Sequence, residues 1–184
     1  MIKTDLSKYN NDSFYPGAGW VKIFIWFFIN AIVFQSSLFP FVKFKVFLLR
    51  FFGSSVGQGV MIKPNVNIKY PWNLKVGDFC WIGEGVWIDN LVMVEIGNNV
   101  CLSQGSYILT GNHNFKSVTF DLLVNPVTIE DGVWIGAKSV VGPGVTCRSH
   151  SVLSLGSVAS RNLEANTIYR GNPAVIIKNR IILN

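Results

Sequence analysis

The sequence predicts an all-β solenoid, a parallel β-helix of six-residue repeats running from about Val56 to Ser160. Three observations predict it. An aliphatic or small residue recurs every six positions through Ile129, Ile135, Val141, Cys147, Leu153 and Ala159. Four residues after each of the first five stands another small or β-branched residue: Val133, Ser139, Val145, Ser151 and Ser157. The same grammar runs earlier through Val56, Ile62 and Ile68, then Val76, Ile82 and Ile88, then Ile96, Leu102 and Ile108. Six residues is too short for a helical unit and too regular for a sandwich. It suits a short strand plus a turn, three of which close one coil.

Grouping by three assigns about five coils to three faces. The first face carries Val56, Val76, Ile96, Ile129 and Cys147; the second Ile62, Ile82, Leu102, Ile135 and Leu153; the third Ile68, Ile88, Ile108, Val141 and Ala159. Within a coil the step is six, and between coils it is eight, eight, twenty-one and six. Every insertion therefore falls at one corner, after the third face. The large one adds about fifteen residues between Ile108 and Ile129, and a loop of that length in a compact repeat is usually functional.

Residues 1–52 precede the repeats, residues 53–162 form the solenoid with a loop at 111–126, and residues 163–184 read as a basic tail. From Trp20 to Phe52 the chain reads as two short apolar helices broken near Ser36-Ser37 and Pro40. The longest nearly unbroken run, Ile23 to Phe34, would span about 18 Å as a helix, short of the roughly 30 Å hydrocarbon core. That argues against a membrane span and leaves two readings. The helices cap the open end of the solenoid or pack on a neighbouring subunit. Alternatively they make peripheral membrane contact through residues 20–52, helped by Lys22, Lys43, Lys45 and Arg50 and by Trp20 and Trp26.

The net charge of +6 sits at the ends: six Lys/Arg against two acids in residues 1–52, six against seven in 53–160, and four against one in 161–184. Basic ends suit phosphate or an anionic membrane. No aromatic-plus-basic stripe or helix-turn-helix pattern points to nucleic acid. Cys80, Cys101 and Cys147 lack CxxC spacing and fall inside the repeats, where they serve as packing residues. The first nineteen residues are polar and no cleavage site follows the apolar run, so the expected location is cytoplasmic, free or on the inner face of the membrane.

The large insertion opens Thr110-Gly111-Asn112-His113-Asn114-Phe115 and runs through Phe120-Asp121-Leu122 to Asn125-Pro126. His113 is one of two histidines; His150 lies three residues after Cys147, at an outward turn position. A histidine, with an unperturbed pKa of about 6.5, suits deprotonation of a hydroxyl at neutral pH. Its place at the start of the one large insertion makes His113 the candidate catalyst.

The six-residue pattern, Thr-Gly-Asn-His at 110–113, Val-Trp-Ile-Gly at 133–136, Pro-Gly-Val at 143–145 and Gly-Asn-Pro-Ala at 171–174 resemble the hexapeptide-repeat acyltransferases. More narrowly, Tyr70-Pro71-Trp72, Val86-Trp87-Ile88-Asp89 and the segment ending Leu48-Leu49-Arg50-Phe51-Phe52-Gly53 resemble the colanic acid biosynthesis acetyltransferase branch. The resemblance implies a left-handed β-helix, an exception to the usual crossover hand. It also implies a homotrimer with acetyl-CoA in grooves between subunits, and His113 as general base for direct attack by an acceptor hydroxyl on the thioester. The matching oxyanion donor is the backbone N–H of Ala137. Trp134 would wall the acceptor and pantetheine region or serve as outward packing. Asp89, at the same corner as the insertion, and Asn112 would hold the acceptor, with a turn role the other reading of Asp89. For acetyl-CoA the resemblance points to Gly156, Ser157, Ser160, Arg161, Lys178 and Arg180, the basic members suiting phosphate. Where sugar acetyltransferases of this type carry an acceptor-binding Asn, this chain has Gly83 and Glu84, so their acceptor does not transfer.

The expected activity is therefore acetyl transfer from acetyl-CoA to a sugar hydroxyl in polysaccharide or glycan assembly. The alternatives are acetylation of a small xenobiotic or amino acid, and a non-catalytic β-helix binding module. No metal is expected: a zinc site of the carbonic anhydrase type needs three histidines, and the chain has two.

Overall fold

The protein, seen in a computed structural model that describes residues 3–183, is a three-faced parallel solenoid with a helical segment at its amino-terminal end. Each repeat supplies a strand of two or three residues in which an outward side chain precedes an inward one, as Trp81 before Ile82 and Trp134 before Ile135. This is the period-two alternation of a strand cut to a single step by the turn that follows.

The faces form with the register expected. On the first, Val56 pairs with Val76, Val76 with Ile96, Ile96 with Ile129 and Ile129 with Cys147. The second stacks Ile62, Ile82, Leu102, Ile135 and Leu153. The third stacks Ile68, Ile88, Ile108, Val141 and Ala159. The residues four positions on, Val133, Ser139, Val145, Ser151 and Ser157, are all buried at the corners. Cys80 and Cys147 are buried, whereas Cys101 sits half-buried in register with Trp134.

Five coils are complete and a sixth is partial. Leu163 bridges Cys147 on the first face, and Thr167–Gly171 adds to Val152–Leu153 on the second. The chain then folds back as Ala174–Asn179, antiparallel to Thr167–Gly171. The segment expected as a basic tail thus continues the solenoid. The six-residue period hides this, because Leu163 follows Ala159 after four residues rather than six.

Helix α1 (Trp20–Ile29) runs into a π-helical turn at Asn30–Phe34, and α2 (Val42–Phe51) follows the break. Their inner faces bury Trp26, Phe34, Leu48, Leu49 and Phe52 with the solenoid core. They also settle the hydrogen bonds of the first coil. Coils bond to one another in both directions, as Gly57 donates to the Val76 carbonyl and Phe79 donates back to the Gln58 carbonyl. The first coil is therefore left with backbone groups that face away from the second and have no strand partner, and these are costly to bury. Arg50 donates from Nε and Nη2 to the Val56 carbonyl at 3.0 and 2.7 Å, on the first face. Lys45 Nζ donates to the Lys63 carbonyl at 3.0 Å beside the second. Trp26 Nε1 donates to Ile68 at 2.8 Å on the third, where Asn30 also bonds Asn67 and accepts the Ile68 N–H. Lys45 is fully buried there, and desolvation holds its ammonium below the usual lysine range. The outer faces of both helices remain exposed. Among the described residues no helix is long and apolar enough to cross a membrane.

Candidate active site

The insertion after the third face leaves the solenoid as a two-stranded antiparallel arm, not an irregular loop. Gly111–His113 pairs with Leu122–Val124, placing His113 opposite Leu122. At its tip, Phe120 adopts a left-handed backbone conformation, φ 55°. This conformation costs a non-glycine residue about 1–2 kcal/mol. It accompanies a carbonyl aimed at the histidine: His113 Nδ1 lies 2.9 Å from the Phe120 oxygen. A carbonyl only accepts, so Nδ1 carries the proton of the neutral imidazole and Nε2 is left with its lone pair. The rings of His113 and Phe120 stack at 4.5 Å with an 8° interplanar angle.

His113 lines a cavity of about 510 Å³ at this corner, together with Tyr9, Asn11, Lys69, Tyr70 and Asp89. Asp89 ends the strand Trp87–Asp89 on the third face. Lys69 Nζ approaches Asp89 Oδ1 at 3.1 Å, and the Tyr107 hydroxyl donates to Oδ2 at 3.3 Å. Burial, then the Asp89 charge and this hydrogen bond, push the Tyr107 phenol up to about 12, so it stays a donor. Fully buried Asn90 clamps the corner: it accepts the Tyr70 N–H at 3.0 Å and donates to the Tyr70 and Asn73 carbonyls. Thr110 donates to the Asp89 carbonyl at 2.8 Å, tying the arm's root to the same corner.

The amino-terminal segment covers the arm. Asp5 donates its N–H to the Val118 carbonyl, and the Tyr9 ring lies 5.7 Å from that of His113. Tyr9, Asn11, Lys69 and Phe120 lie outside the site residues expected from sequence, and Tyr70 carries only the family resemblance. Nothing in the six-residue pattern reaches the first nineteen residues.

The other candidates lie elsewhere. Asn112 is exposed, accepts the His113 N–H through its own Oδ1 at 2.8 Å, and does not line the cavity. Trp134 faces outward on the second face, its Nε1 donating to Ser103 Oγ at 2.8 Å. Ala137 stands at the corner between the second and third faces. Its N–H has no acceptor among the described residues, but neither have those of Glu84 and Gln104 at the same corner. A single chain thus brings His113 and Asp89 together and keeps Trp134 and Ala137 apart from them.

The acetyl-CoA candidates ring the carboxy-terminal coils without converging. Gly156 is exposed, with open space where a Cβ would stand. Ser160, Arg161 and Lys178 are exposed as well. Ser157 is 1% exposed and its hydroxyl accepts the Gly171 N–H, so its side chain packs inward. Arg180 is partly committed, because Nη1 donates to the Gly132 and His150 carbonyls at 2.9 and 3.1 Å. Among the described residues no group of three or more His, Cys, Asp or Glu could hold a metal ion.

No family model matches the chain. It is 36% identical over 177 residues to a protein of Escherichia coli K12 named as the colanic acid biosynthesis acetyltransferase WcaF, covering 96% of this chain and 97% of that one. The galactoside O-acetyltransferase of the same organism is 28% identical over 68% of this chain and 63% of its own length. Among solved structures, a maltose O-acetyltransferase from Clostridium difficile 630 superposes with a TM-score of 0.77 at 26% identity, covering 88% of each chain. A hexapeptide-repeat acetyltransferase from Vibrio cholerae, solved with acetyl coenzyme A, gives 0.79 at 23% identity over 88% of each chain and shares the fold. The identity to the colanic acid relative, sustained over nearly the whole of both chains and joined to this solenoid, shows that the chain belongs to the hexapeptide-repeat acetyltransferase family.

Proposed function

We propose that the protein transfers the acetyl group of acetyl-CoA to a sugar hydroxyl during glycan assembly, with His113 as general base. The observation that carries this reading is the tautomer imposed on His113. With Nδ1–H held by the Phe120 carbonyl at 2.9 Å, Nε2 is the free lone pair in a cavity that also holds Asp89. Nε2 takes the proton as the acceptor oxygen attacks the thioester carbonyl. The carbon–sulfur bond then breaks, and the imidazolium returns the proton to the departing CoA sulfur. Asp89 accepts a hydrogen bond from a second sugar hydroxyl, its charge held in place by Lys69 and Tyr107. The names of the colanic acid, galactoside and maltose relatives support a sugar as acceptor.

Because Ala137 and His113 occupy different corners, a second copy of the chain is needed to bring an oxyanion donor to the base. This supports a homotrimer with acetyl-CoA between subunits, where the exposed Gly156, Ser160, Arg161 and Lys178 of one copy are available to it. The test is an acetyl-CoA turnover screen across nucleotide-linked and lipid-linked sugars. Turnover with a sugar that His113→Ala abolishes is expected. Turnover unaffected by that substitution removes the general base, and no turnover with any sugar removes the sugar acceptor.

A further inference from the structure

We infer that the outer face of α1 and α2 is a docking surface for an anionic lipid bilayer, and that it sets the mouth of the His113 cavity at that surface. The outer side chains Trp20, Phe24, Phe27, Phe44, Phe47 and Phe51 are each between 43% and 78% exposed. They form one surface: Phe44, Phe47 and Phe51 stack in succession along α2, and Phe51 shares a depression with Trp20 and Ile25 of α1. A contiguous aromatic face of this kind on a soluble chain marks an interaction site. The inner faces are already used in capping the solenoid, so this surface is a separate feature.

Charge selects the occupant. From residue 13 to residue 77 the chain has seven Lys and Arg and no Asp or Glu. Lys45 is buried in the cap and Lys69 and Lys75 pair with Asp89 and Glu95, which leaves Lys22, Lys43, Arg50 and Lys63. Lys43 and Arg50 line a depression with Phe47, and Lys22 stands beside Trp20. Cations interleaved with aromatic side chains are the pattern that holds a helix in the interface of an anionic membrane. A second copy of this chain offers no matching excess of acid: its residues 53–160 carry six cations against seven acids. Among the described residues no helix is long and apolar enough to span, so the proposed contact is peripheral.

The cavity joins this face. Exposed Phe27 of α1 lines a depression of about 260 Å³ with Asn67, Lys69, Tyr70 and Trp87. Lys69 and Tyr70 also line the cavity that holds His113 and Asp89. Two adjoining depressions therefore lead from the apolar face toward the candidate base, with the Lys69–Asp89 pair between them. That order matches an acceptor made of lipid, then sugar. This second part rests on the proposed sugar acetyl transfer, whereas the docking does not.

The test is flotation of the full chain with phosphatidylcholine vesicles, with and without phosphatidylglycerol, in the absence of acetyl-CoA. Binding to the anionic vesicles is expected, weakened by salt, and at least roughly tenfold weaker for the double variant Phe27→Ser/Phe47→Ser at unchanged oligomer mass and melting temperature. Fluorescence quenching by brominated lipids reports the same contact in the unaltered chain, and Trp20→Phe should lose most of it. No flotation and no quenching overturns the inference. So does a double variant that falls from oligomer to monomer mass, because the face then belongs to another copy. A chain that floats but acetylates no sugar sinks the proposed function alone; one that acetylates a nucleotide sugar without floating sinks the docking alone.

Discussion

Phe120 holds His113 twice, through a 2.9 Å hydrogen bond from Nδ1 to its carbonyl and through a ring stacked at 4.5 Å. The two contacts separate under mutation. Phe120→Gly keeps the carbonyl and relieves the left-handed backbone but removes the ring. Turnover should fall about tenfold with the KM for acetyl-CoA unchanged, against a loss of about 10²–10⁴-fold for His113→Ala. Equal losses would mean that the ring itself sets the imidazole. Steady-state kinetics with the acceptor found by screening reads both.

Asp89 should act on the acceptor side alone. Asp89→Asn keeps the shape and loses the charge that pairs with Lys69 at 3.1 Å. The expected outcome is a kcat/KM for the acceptor reduced by about tenfold or more, with acetyl-CoA saturation unchanged. A raised KM for acetyl-CoA instead would move Asp89 to the donor side.

The cap formed by the helices is open to a pH test through Lys45. Burial lowers its pKa from 10.5, so above the folded value the unfolded chain binds the extra proton. Stability from this group is therefore lost as pH falls through the lowered value and regained as pH rises toward 10.5. Thermal melts of the wild type and Lys45→Met, compared from neutral pH to about 10.5, should show the wild type gaining on the variant. A constant difference would mean that Lys45 is solvated in the folded state.

Trp26 is 2% exposed and satisfies the Ile68 carbonyl. Trp26→Ala should cost about 3–5 kcal/mol for the lost packing, with the orphaned carbonyl adding to it. Chemical denaturation gives the number.

Two glycines separate crowding from backbone strain. A Cβ at Gly136 would stand 2.5 Å from the Leu155 nitrogen and 2.7 Å from the Leu153 oxygen, backbone atoms of the next coil. At Gly156 a Cβ meets nothing, but φ is +66°. Gly136→Ala should destabilise by about 1–3 kcal/mol through forced separation of coils. Gly156→Ala should cost about 1–2 kcal/mol through backbone conformation alone, and melting curves rank the pair.

The coils were legible because each buried position repeats on itself. A register that stacks Ile82 on Ile62 and under Leu102 needs only the step arithmetic. The corner that holds His113 was legible for the same reason, as the one place where the arithmetic breaks. What the period could not show are contacts made by residues outside it. Tyr9 reaches His113 across more than a hundred residues of chain, and Lys45 looks in sequence like one more surface cation. Leu163 begins a sixth turn out of step. Asn112 is expected from its place beside the base to hold the acceptor, and the period gives no sign that its Oδ1 accepts the His113 N–H.

The donors that close the first coil bear on how chains of this kind meet. A stack of parallel rungs with an open last rung can be lengthened by any other chain that offers a strand. Here Arg50, Lys45 and Trp26 occupy carbonyls at one end and Asn30 accepts the Ile68 N–H, while the hairpin of Thr167–Gly171 with Ala174–Asn179 ends the second face at the other. Growth along the axis is thereby blocked at the amino-terminal end. Fibre formation from that end is thus prevented by a few side chains, none of which lines the His113 cavity.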